Sequence, residues 1–291
     1  MAGQARRRLD AELVRRRLAR SREQAVELIA AGRVTVGGQR AAKAATQVET
    51  SAAIVVSAAG GGPEYASRGG HKLAGALEAF GAGPAGLRVS GRRCLDAGAS
   101  TGGFTDVLLR AGARQVVAVD VGYGQLVWEL QNDPRVVVVD RTNVRELTLD
   151  QIGGEPVELV VGDLSFISLT LVLPALLRCA VPEADLALMV KPQFEVGRER
   201  LGSGGVVRDP ALHAESVRTV AASAAALGLG VLGVAASPLP GPSGNVEYFL
   251  WLRRGAPALR EQDLERAIDE GPAGSAAKAG AAVAAAQEED G

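Results

Sequence analysis

The sequence predicts an α/β protein in which a mostly parallel β-sheet, covered by helices on both faces, follows a small α+β module. From about residue 67, short Val-rich segments alternate with helical ones, which is typical of buried parallel strands. Residues 1–43 hold eleven Lys or Arg against four acidic residues, a net charge of +7, whereas the rest of the chain carries −8. The run Gly60-Gly-Gly-Pro63 cannot hold regular structure and separates the two parts.

The predicted organisation follows from these changes of pattern. We expect a basic module at residues 6–58, a linker at 59–66 and the α/β domain at 67–255. The extension at 256–291 loses all pattern after about residue 271, and that tail is expected to be disordered.

Composition narrows the class of protein. Hydrophobic residues make up 47% of the 291 residues and aromatic ones only 3%, so we expect a sizeable core of Ala, Val and Leu. Cys94 and Cys179 lie in apolar segments and are expected to be reduced core residues. The only two histidines, His71 and His213, are expected to be exposed. Two histidines and two cysteines so far apart predict no metal site.

The apolar segments of the sequence predict the location of the protein in the cell. No apolar run reaches about 18 residues, so we predict no membrane span. The N-terminus is basic with no apolar segment behind it, so we predict no signal peptide. We therefore expect a cytoplasmic monomer with no membrane partner.

The basic module has two predicted helices and two predicted strands. An amphipathic helix is expected over residues 9–18. A second helix begins after Ser21, an N-cap with Gln24 three residues later, and stops at Gly32. Strands are expected at 34–36 and 53–56. A basic head on an acidic body is typical of a nucleic-acid-binding appendage, although a solvated basic helix would have the same composition.

Residues 18–25, Leu-Ala-Arg-Ser-Arg-Glu-Gln-Ala, and 32–38, Gly-Arg-Val-Thr-Val-Gly-Gly, resemble the S4 domain, an RNA-binding domain named after a protein of the small ribosomal subunit. The resemblance implies that the basic helical face and the following turn bind the backbone and folded shape of RNA. Aromatic residues are scarce there, so stacking on single-stranded bases is not expected. The candidate phosphate contacts are Arg6, Arg7, Arg15, Arg16, Arg20 and Arg22.

In the α/β domain the first strand leads into a loop of small residues. Ligands of open α/β sheets bind beyond the carboxyl ends of strands, and small residues let a ligand approach the backbone and the next helix N-terminus. The loop lacks the G-x-G-x-x-G pattern of dinucleotide sites and a Gly-Lys-Ser phosphate loop. An acidic residue ahead of the glycines suits a positively charged cofactor that carries an amino acid, S-adenosylmethionine. The candidate residues are Asp96, Gly98, Ser100, Gly102, Gly103 and Phe104.

Acidic residues also follow the next two strands. Asp120, with Val121 beside it, would accept hydrogen bonds from two ribose hydroxyls. Asp140 and Asn143 would lie where an adenine edge binds. A single acid at such a position often only caps a loop, but acids at three successive strand ends favour an adenosine-containing cofactor. The strands are predicted at 93–97, 115–119, 135–139, 157–162, 185–190 and 245–252, and a helix at 68–80.

Five segments resemble the FtsJ-like RNA ribose methyltransferases and, with the basic head, the TlyA family over residues 6–254. The resemblance implies a Rossmann-like methyltransferase sheet whose last strand is antiparallel, S-adenosylmethionine as cofactor and ribosomal RNA as partner. The segments are Tyr65-Ala-Ser-Arg-Gly-Gly-His-Lys-Leu73, Asp96-Ala-Gly-Ala-Ser-Thr-Gly-Gly-Phe104, Asp163-Leu-Ser-Phe-Ile-Ser168, Lys191-Pro-Gln-Phe-Glu195 and Pro240-Gly-Pro-Ser-Gly-Asn-Val-Glu247.

Four residues in these segments fit the Lys-Asp-Lys-Glu tetrad that the resemblance implies: Lys72, Asp163, Lys191 and Glu247. Lys191 would accept the proton of a ribose hydroxyl or stabilise the forming alkoxide, and burial beside Lys72 would favour its neutral form. Asp163 would orient Lys191 and lie near the cofactor sulfur, and Glu247 would hold Lys72 and the ribose. Alternatively, the same four residues form two ordinary ion pairs that have no role in catalysis. Arg68 is a further candidate RNA contact.

The expected function is methylation of cytidine 2′-hydroxyls in 23S and also 16S ribosomal RNA, which in this family is linked to sensitivity to capreomycin-type antibiotics. A non-catalytic RNA-binding assembly factor is the alternative, and it would predict an incomplete site. A haemolysin, a label also attached to the family, would need a membrane-inserting segment. The loop at residues 197–209 either folds over RNA or is simply flexible.

Overall fold

In the computed structural model, the chain separates between Glu64 and Tyr65 into two units, residues 1–64 and 65–291. The structure describes residues 6–37, 39–56, 65–83, 85–241 and 244–271. Most of the expected linker, 59–66, and the expected tail beyond 271 lie outside these ranges.

The N-terminal unit has two helices and five short strands. Ser21 caps the second helix as expected, because its side chain accepts a hydrogen bond from the backbone N–H of Gln24. The Gln24 side chain accepts from the backbone N–H of Arg20, one residue before the cap. The elements are β1 Arg6–Arg8, α1 Leu9–Arg15, α2 Arg22–Ala30, β2 Val34–Val36, β3 Gln39–Arg40, β4 Gln47–Glu49 and β5 Ile54–Val56.

The strands of this unit form two small antiparallel sheets. β1 pairs with β4, and β2 lies between β3 and β5. The first helix was expected to reach residue 18 but ends at Arg15, because the backbone turns left-handed at Arg17 (φ 59°). The core consists of Leu9, Leu13, Ala19, Ala25, Leu28, Ile29, Val34 and Val48.

The second unit alternates strands and helices. Its elements are α3 Gly69–Phe80, β6 Arg93–Ala97, α4 Gly103–Arg110, β7 Gln115–Val119, α5 Trp128–Gln131, β8 Val136–Val139, β9 Val157–Gly162, α6 Leu169–Arg178, β10 Ala180–Val190, α7 Pro192–Glu195, α8 Pro210–Ala226, β11 Leu229–Ala236, β12 Tyr248–Arg254 and α9 Glu261–Glu270.

The seven strands of this unit form one sheet in the order β11-β12-β10-β9-β6-β7-β8. β6 to β10 run parallel, and β12 is antiparallel to both of its neighbours. The strand order reverses between β6 and β9, and such a switch point opens a crevice at the carboxyl ends of the two strands. The expected fold class is confirmed.

Both faces of the sheet are buried. Alternate residues of one strand point to opposite faces, so Leu95 and Ala97 pack against α6 and α8, while Cys94 packs against α3 and α4. Cys94 and Cys179 are free and buried, as expected. The strands therefore hold the loops at their carboxyl ends on a rigid base.

Three differences from the expected elements matter for the site. β11 was not predicted, because Gly230 and Gly233 interrupt its apolar pattern. β10 begins five residues earlier than expected, and β12 begins three residues later, so Glu247 precedes its strand instead of lying within it. The extension beyond 255 contains α9, whose Leu264, Ala267 and Ile268 join the core.

No helix in the described ranges is long and apolar enough to cross a membrane.

Candidate active site

The glycine-rich loop after β6 lies at the switch point of the sheet. Gly98 has a φ of 87°, and a Cβ there would lie 2.9 Å from the carbonyl oxygen of Asp163, which follows β9. A side chain at Gly98 would therefore separate the two loops. Gly102, with a φ of 98°, begins α4, whose first N–H groups face this end of the sheet. The ring of Phe104 packs in the core against Phe249, so only its backbone is near the loop.

Asp96 is fully buried at the base of this loop. Its Oδ2 accepts a hydrogen bond from the Thr105 hydroxyl at 2.7 Å, while its Oδ1 is buried without a partner. Burial raises the pKa of Asp96 to about 7, and the nearby Asp163 and Asp120 carboxylates act in the same direction. A buried, unpartnered acceptor at the base of the glycine-rich loop favours a cationic or N–H-bearing ligand.

The acids after the next two strands brace loops. Asp120 accepts hydrogen bonds from the backbone N–H of Ser100 at 2.8 Å and of Gly122 at 2.7 Å. Asp140 accepts from the backbone N–H of Gly124. The Asn143 side chain caps a short 3₁₀ turn by accepting a hydrogen bond from the Arg145 N–H. Val121, which follows Asp120, is exposed. Each carboxylate oxygen has two lone pairs, so Asp120 and Asp140 can still accept further donors.

Lys72 and Glu247 form a buried ion pair. Lys72 lies in the first turn of α3, and its Nζ is 2.5 Å from Glu247 Oε2. The Lys72 side chain is 6% exposed and that of Glu247 is fully buried. The ammonium also lies 3.9 Å from the sulfur of Met189 on β10. Glu247 Oε1 is 3.4 Å from the Gln193 side-chain amide, which donates to it.

Lys191 and Asp163 form the second pair. Lys191 follows β10, its side chain is 8% exposed, and its Nζ lies 2.6 Å from Asp163 Oδ1. This contact is an ion pair, and Asp163 Oδ1 accepts no hydrogen bond. The hydrogen bond of Lys191 Nζ goes to the Ser165 hydroxyl at 2.9 Å. Each lysine thus has its own carboxylate, in the pairing that the sequence predicts.

The two pairs lie at one edge of the sheet. Val190 is opposite Tyr248 in the β10–β12 register, so the next residues, Lys191 and Glu247, lie beside each other. A Cβ on Gly69, in the first turn of α3, would be 4.0 Å from Asp163 Oδ2. The structure therefore brings all four expected tetrad residues to the edge that carries the glycine loop.

Sequence reasoning missed the aromatic residues beside Lys191. Phe166 is 91% exposed and has a φ of 64°, a left-handed conformation that is unfavourable for an aromatic residue. Its ring lies 5.2 Å from that of Phe194, which is 5.9 Å from Lys191 Nζ. Each aromatic residue lies three positions after a tetrad residue, Phe166 after Asp163 and Phe194 after Lys191. This closeness in sequence is the signal that could have identified them.

The loop at 197–209 is attached to the segment that precedes β12 and carries Glu247. The Asn245 side chain accepts from the Val207 N–H and donates to the Gly205 carbonyl. The expectation that His213 is exposed was wrong: it is 1% exposed, donates from Nε2 to the Val207 carbonyl and accepts at Nδ1 from the Tyr248 hydroxyl. Burial lowers the pKa of His213, which keeps this neutral tautomer. His71 is half-buried against the Tyr65 ring.

Most of the expected RNA-binding arginines take part in contacts within the protein. Arg15 and Arg16 share the buried Glu12, and Arg22 and Arg8 share the buried Asp10. The others are exposed: Arg6 is paired with Glu49, Arg68 donates to the Pro240 carbonyl, and Arg7 and Arg20 are solvent-accessible side chains.

Two family profiles match this fold. The FtsJ-like methyltransferase profile matches residues 65–254, and the S4 domain profile matches residues 7–54. The fold is thus that of an FtsJ-like methyltransferase preceded by an S4 domain.

Individual relatives match almost the whole chain. The sequence is 61% identical over 270 residues to "16S/23S rRNA (cytidine-2′-O)-methyltransferase TlyA" of Mycobacterium tuberculosis, covering 91% of this chain and 98% of the relative. It is 35% identical to "Hemolysin A" of Brachyspira hyodysenteriae, covering 79% and 92%. The solved structure of a candidate hemolysin of Streptococcus thermophilus has 36% identity and a TM-score of 0.71, covering 92% and 98%. The chain therefore belongs to the TlyA family of FtsJ-like methyltransferases.

Proposed function

We propose that the protein transfers the methyl group of S-adenosylmethionine to cytidine 2′-hydroxyls in 23S and 16S ribosomal RNA. The carrying observation is the two ion pairs, Lys72–Glu247 and Lys191–Asp163, whose ammonium groups are buried at the sheet edge that holds the glycine loop. The relative from Mycobacterium tuberculosis bears the name of this reaction, and this chain covers 98% of it.

The residues of the loop fit the cofactor. S-adenosylmethionine supplies a methyl group on a positively charged sulfur. The unpartnered oxygen of Asp96 suits a cationic or N–H-bearing group, and a nearby positive charge favours the ionised form of this carboxylate. Gly98, Ser100, Gly102, Gly103 and the backbone of Phe104 would line the loop. Asp120 and Val121 would border the ribose, and Asp140 and Asn143 the adenine.

The tetrad suits a hydroxyl acceptor. Its oxygen must lose a proton as it takes the methyl group, and Lys191 is fixed by Asp163 and Ser165 where a ribose oxygen can reach it. Lys191 either accepts that proton or stabilises the forming alkoxide with its ammonium. Holding the reacting atoms in line contributes about 7–11 kcal/mol, and proton handling contributes about two to four orders of magnitude in rate.

The second pair positions the acceptor. Glu247 is held by Lys72 and Gln193, so its carboxylate is fixed beside Lys191. The exposed Phe166 ring offers a flat apolar surface next to the lysine. A base turned out of its helix would stack there, and base–aromatic stacking contributes about 1–3 kcal/mol.

The N-terminal unit supplies affinity for folded RNA. The S4 profile covers it, and its arginines are exposed beside buried carboxylates. Two features favour action on both subunits: Arg6–Arg8 form a strand, and the extension beyond 255 forms α9. We further propose that the modification occurs in the cytoplasm and increases sensitivity to capreomycin-type antibiotics.

The test is to incubate the protein with purified 30S and 50S subunits and cofactor labelled in its methyl group. The subunits should come from cells that lack this modification. We expect label in both RNAs, released by nuclease digestion as 2′-O-methylcytidine, and no label with Lys191→Ala. Label on another nucleoside or a base would overturn the ribose assignment, and no transfer to either subunit would favour a non-catalytic RNA-binding factor. Label in 50S alone would restrict the substrate to 23S RNA.

A haemolytic activity is the alternative that one relative's name suggests. Release of haemoglobin from erythrocytes by the purified protein, undiminished in Lys191→Ala, would favour it.

A further inference from the structure

Helix α1 ends in an arrangement that normally requires glycine. The Leu18 N–H donates to the Leu13 carbonyl and the Arg17 N–H donates to the Val14 carbonyl, both at 2.9 Å. These are the two bonds of a Schellman motif, in which the residue after the cap turns left-handed. That residue is Arg17, with a φ of 59°. A Cβ is unfavourable in this conformation, so the chain carries a long cationic side chain where the backbone favours none.

Arg17 differs from its neighbours in its contacts. Arg15 and Arg16 both donate to Glu12, at distances of 2.6–2.8 Å. The guanidinium of Arg17 is exposed and has no carboxylate partner within the part of the chain that the structure describes. Its positive charge is therefore not offset by a contact within the protein.

The surrounding arginines form a fixed frame. Asp10, 3% exposed, is shared by Arg8 at 2.9 Å and Arg22 at 3.0 Å, which ties the start of α1 to α2. Arg16 also donates to the carbonyls of Thr50 and Ala52. The corner between α1 and α2, where Arg17 projects, is thus held from both sides.

We propose that Arg17 is a phosphate-binding residue of the N-terminal unit, presented to the backbone of structured RNA by this frame. The proposal rests on RNA being the substrate in the proposed function. A guanidinium matches a phosphate in shape and charge and binds it with two parallel hydrogen bonds. A phosphate contact also explains why an unfavourable backbone conformation is retained at an exposed residue.

A purely structural explanation predicts a different result. A cation near a helix C-terminus is favoured by the helix dipole, so Arg17 could serve only to stabilise α1. In that case Arg17→Gly would leave RNA affinity unchanged. Our proposal predicts weaker RNA binding without a loss of thermal stability, because glycine removes the phosphate contact while relieving the left-handed strain.

The experiment measures binding of the full-length protein to a 23S RNA transcript at several salt concentrations between about 50 and 200 mM. Arg17→Gly should bind several-fold more weakly, with a salt slope shallower by about 0.7–0.9, the value for one lost phosphate contact. Its melting temperature should not fall. Arg17→Lys should retain the slope. Arg218→Gln, which removes one positive charge from an exposed ion pair on α8, is the matched control and should bind like wild type.

An unchanged salt slope in both Arg17→Gly and Arg17→Asn, a second residue that tolerates the left-handed conformation, would overturn the proposal. Methyl transfer is measured in parallel with ribosomal subunits. If the slope changes as expected but wild type transfers no methyl group, the phosphate contact stands and the proposed function fails. If transfer occurs and the slope does not change, only the phosphate contact fails.

Discussion

The N-terminal unit and the sheet edge of the second unit both pair cations with carboxylates, but in opposite orientations. In the N-terminal unit the carboxylates of Asp10 and Glu12 are buried and their arginines remain largely exposed. At the sheet edge the ammonium groups of Lys72 and Lys191 are buried, one beside the buried Glu247 and the other beside the partly exposed Asp163. The first arrangement fixes positive charge at the surface, whereas the second holds ammonium groups below the surface.

The difference predicts how each region responds to its surroundings. Exposed guanidiniums are screened by salt, so binding through the N-terminal unit should weaken as ionic strength rises. Buried pairs are screened little, but removing one partner leaves an uncompensated charge. Variants of the N-terminal unit should therefore change RNA binding and its salt dependence, whereas variants of the sheet edge should change stability and methyl transfer.

The largest expected effect is at Lys191. Lys191→Ala removes the group that handles the hydroxyl proton and should lower the rate of methyl transfer by about 10² to 10⁴. Single-turnover transfer with saturating ribosomal subunits measures this directly. Because the N-terminal unit is untouched, the affinity for RNA should stay at the wild-type value. A variant that loses RNA affinity but keeps its rate at saturation would reverse the division of roles.

The next largest effect is expected from breaking the Lys72–Glu247 pair. Lys72→Ala leaves Glu247 buried and unpaired, which should cost about 3–5 kcal/mol of unfolding free energy in urea titrations. The double variant Lys72→Met/Glu247→Leu should recover most of that stability but not methyl transfer. If the double variant is as unstable as the single one, the loss comes from packing. If it recovers activity, the pair has no role in the reaction.

The two regions should also respond to pH in opposite directions. Burial raises the pKa of Asp96 to about 7, so its unfavourable contribution to stability grows as pH rises from about 4 and is complete above about 7. Arg15 and Arg16 lower the pKa of Glu12 to about 2, so its favourable contribution is present above about pH 4 and is lost as pH falls towards 2.

Comparing Asp96→Asn with wild type isolates the first contribution. The stability of the variant relative to wild type should increase by up to about 4 kcal/mol between pH 4 and pH 8, as followed by urea unfolding. If the difference in unfolding free energy between the variant and wild type did not change with pH, burial would not raise the pKa of Asp96. Glu12→Gln should reduce the acid sensitivity of the N-terminal unit, which hydrogen exchange of α1 amides can follow separately. The remaining sensitivity comes from Asp10, whose pKa is lowered by Arg8 and Arg22.

The smallest of these effects is at Phe166. Phe166→Ala should raise the KM for subunits by a factor equivalent to about 1–3 kcal/mol and leave the rate at saturation nearly unchanged. Phe166→Tyr keeps a stacking ring and should behave like wild type. Equal losses in both variants would exclude stacking as the role of this side chain.

The same comparison shows what the sequence could predict. Val-rich strands such as β7 have a clear pattern in the sequence. Residues that follow successive parallel strands meet at one edge of the sheet, so the sequence predicts that Asp163 and Lys191 lie there. The strands of two or three residues in the N-terminal unit have too few positions for any period, so β1, β3 and β4 were missed.

Contacts between residues far apart in sequence were the other limit. Lys72 and Glu247 were expected to interact through the family resemblance, since 175 positions separate them and no local pattern links them. The burial of His213 was missed because it depends in part on Tyr248, which is 35 positions away. The left-handed backbone at Arg17 was missed because glycine, not arginine, signals such a turn.

The most direct test compares Lys191→Ala and Arg17→Gly in one assay, methyl transfer to ribosomal subunits over a range of subunit concentrations. If the sheet edge carries the chemistry and the N-terminal unit the affinity, Lys191→Ala loses the rate at saturation and keeps RNA binding. Arg17→Gly then raises the KM and keeps that rate. Full transfer by Lys191→Ala at saturation would contradict the assignment of the active site.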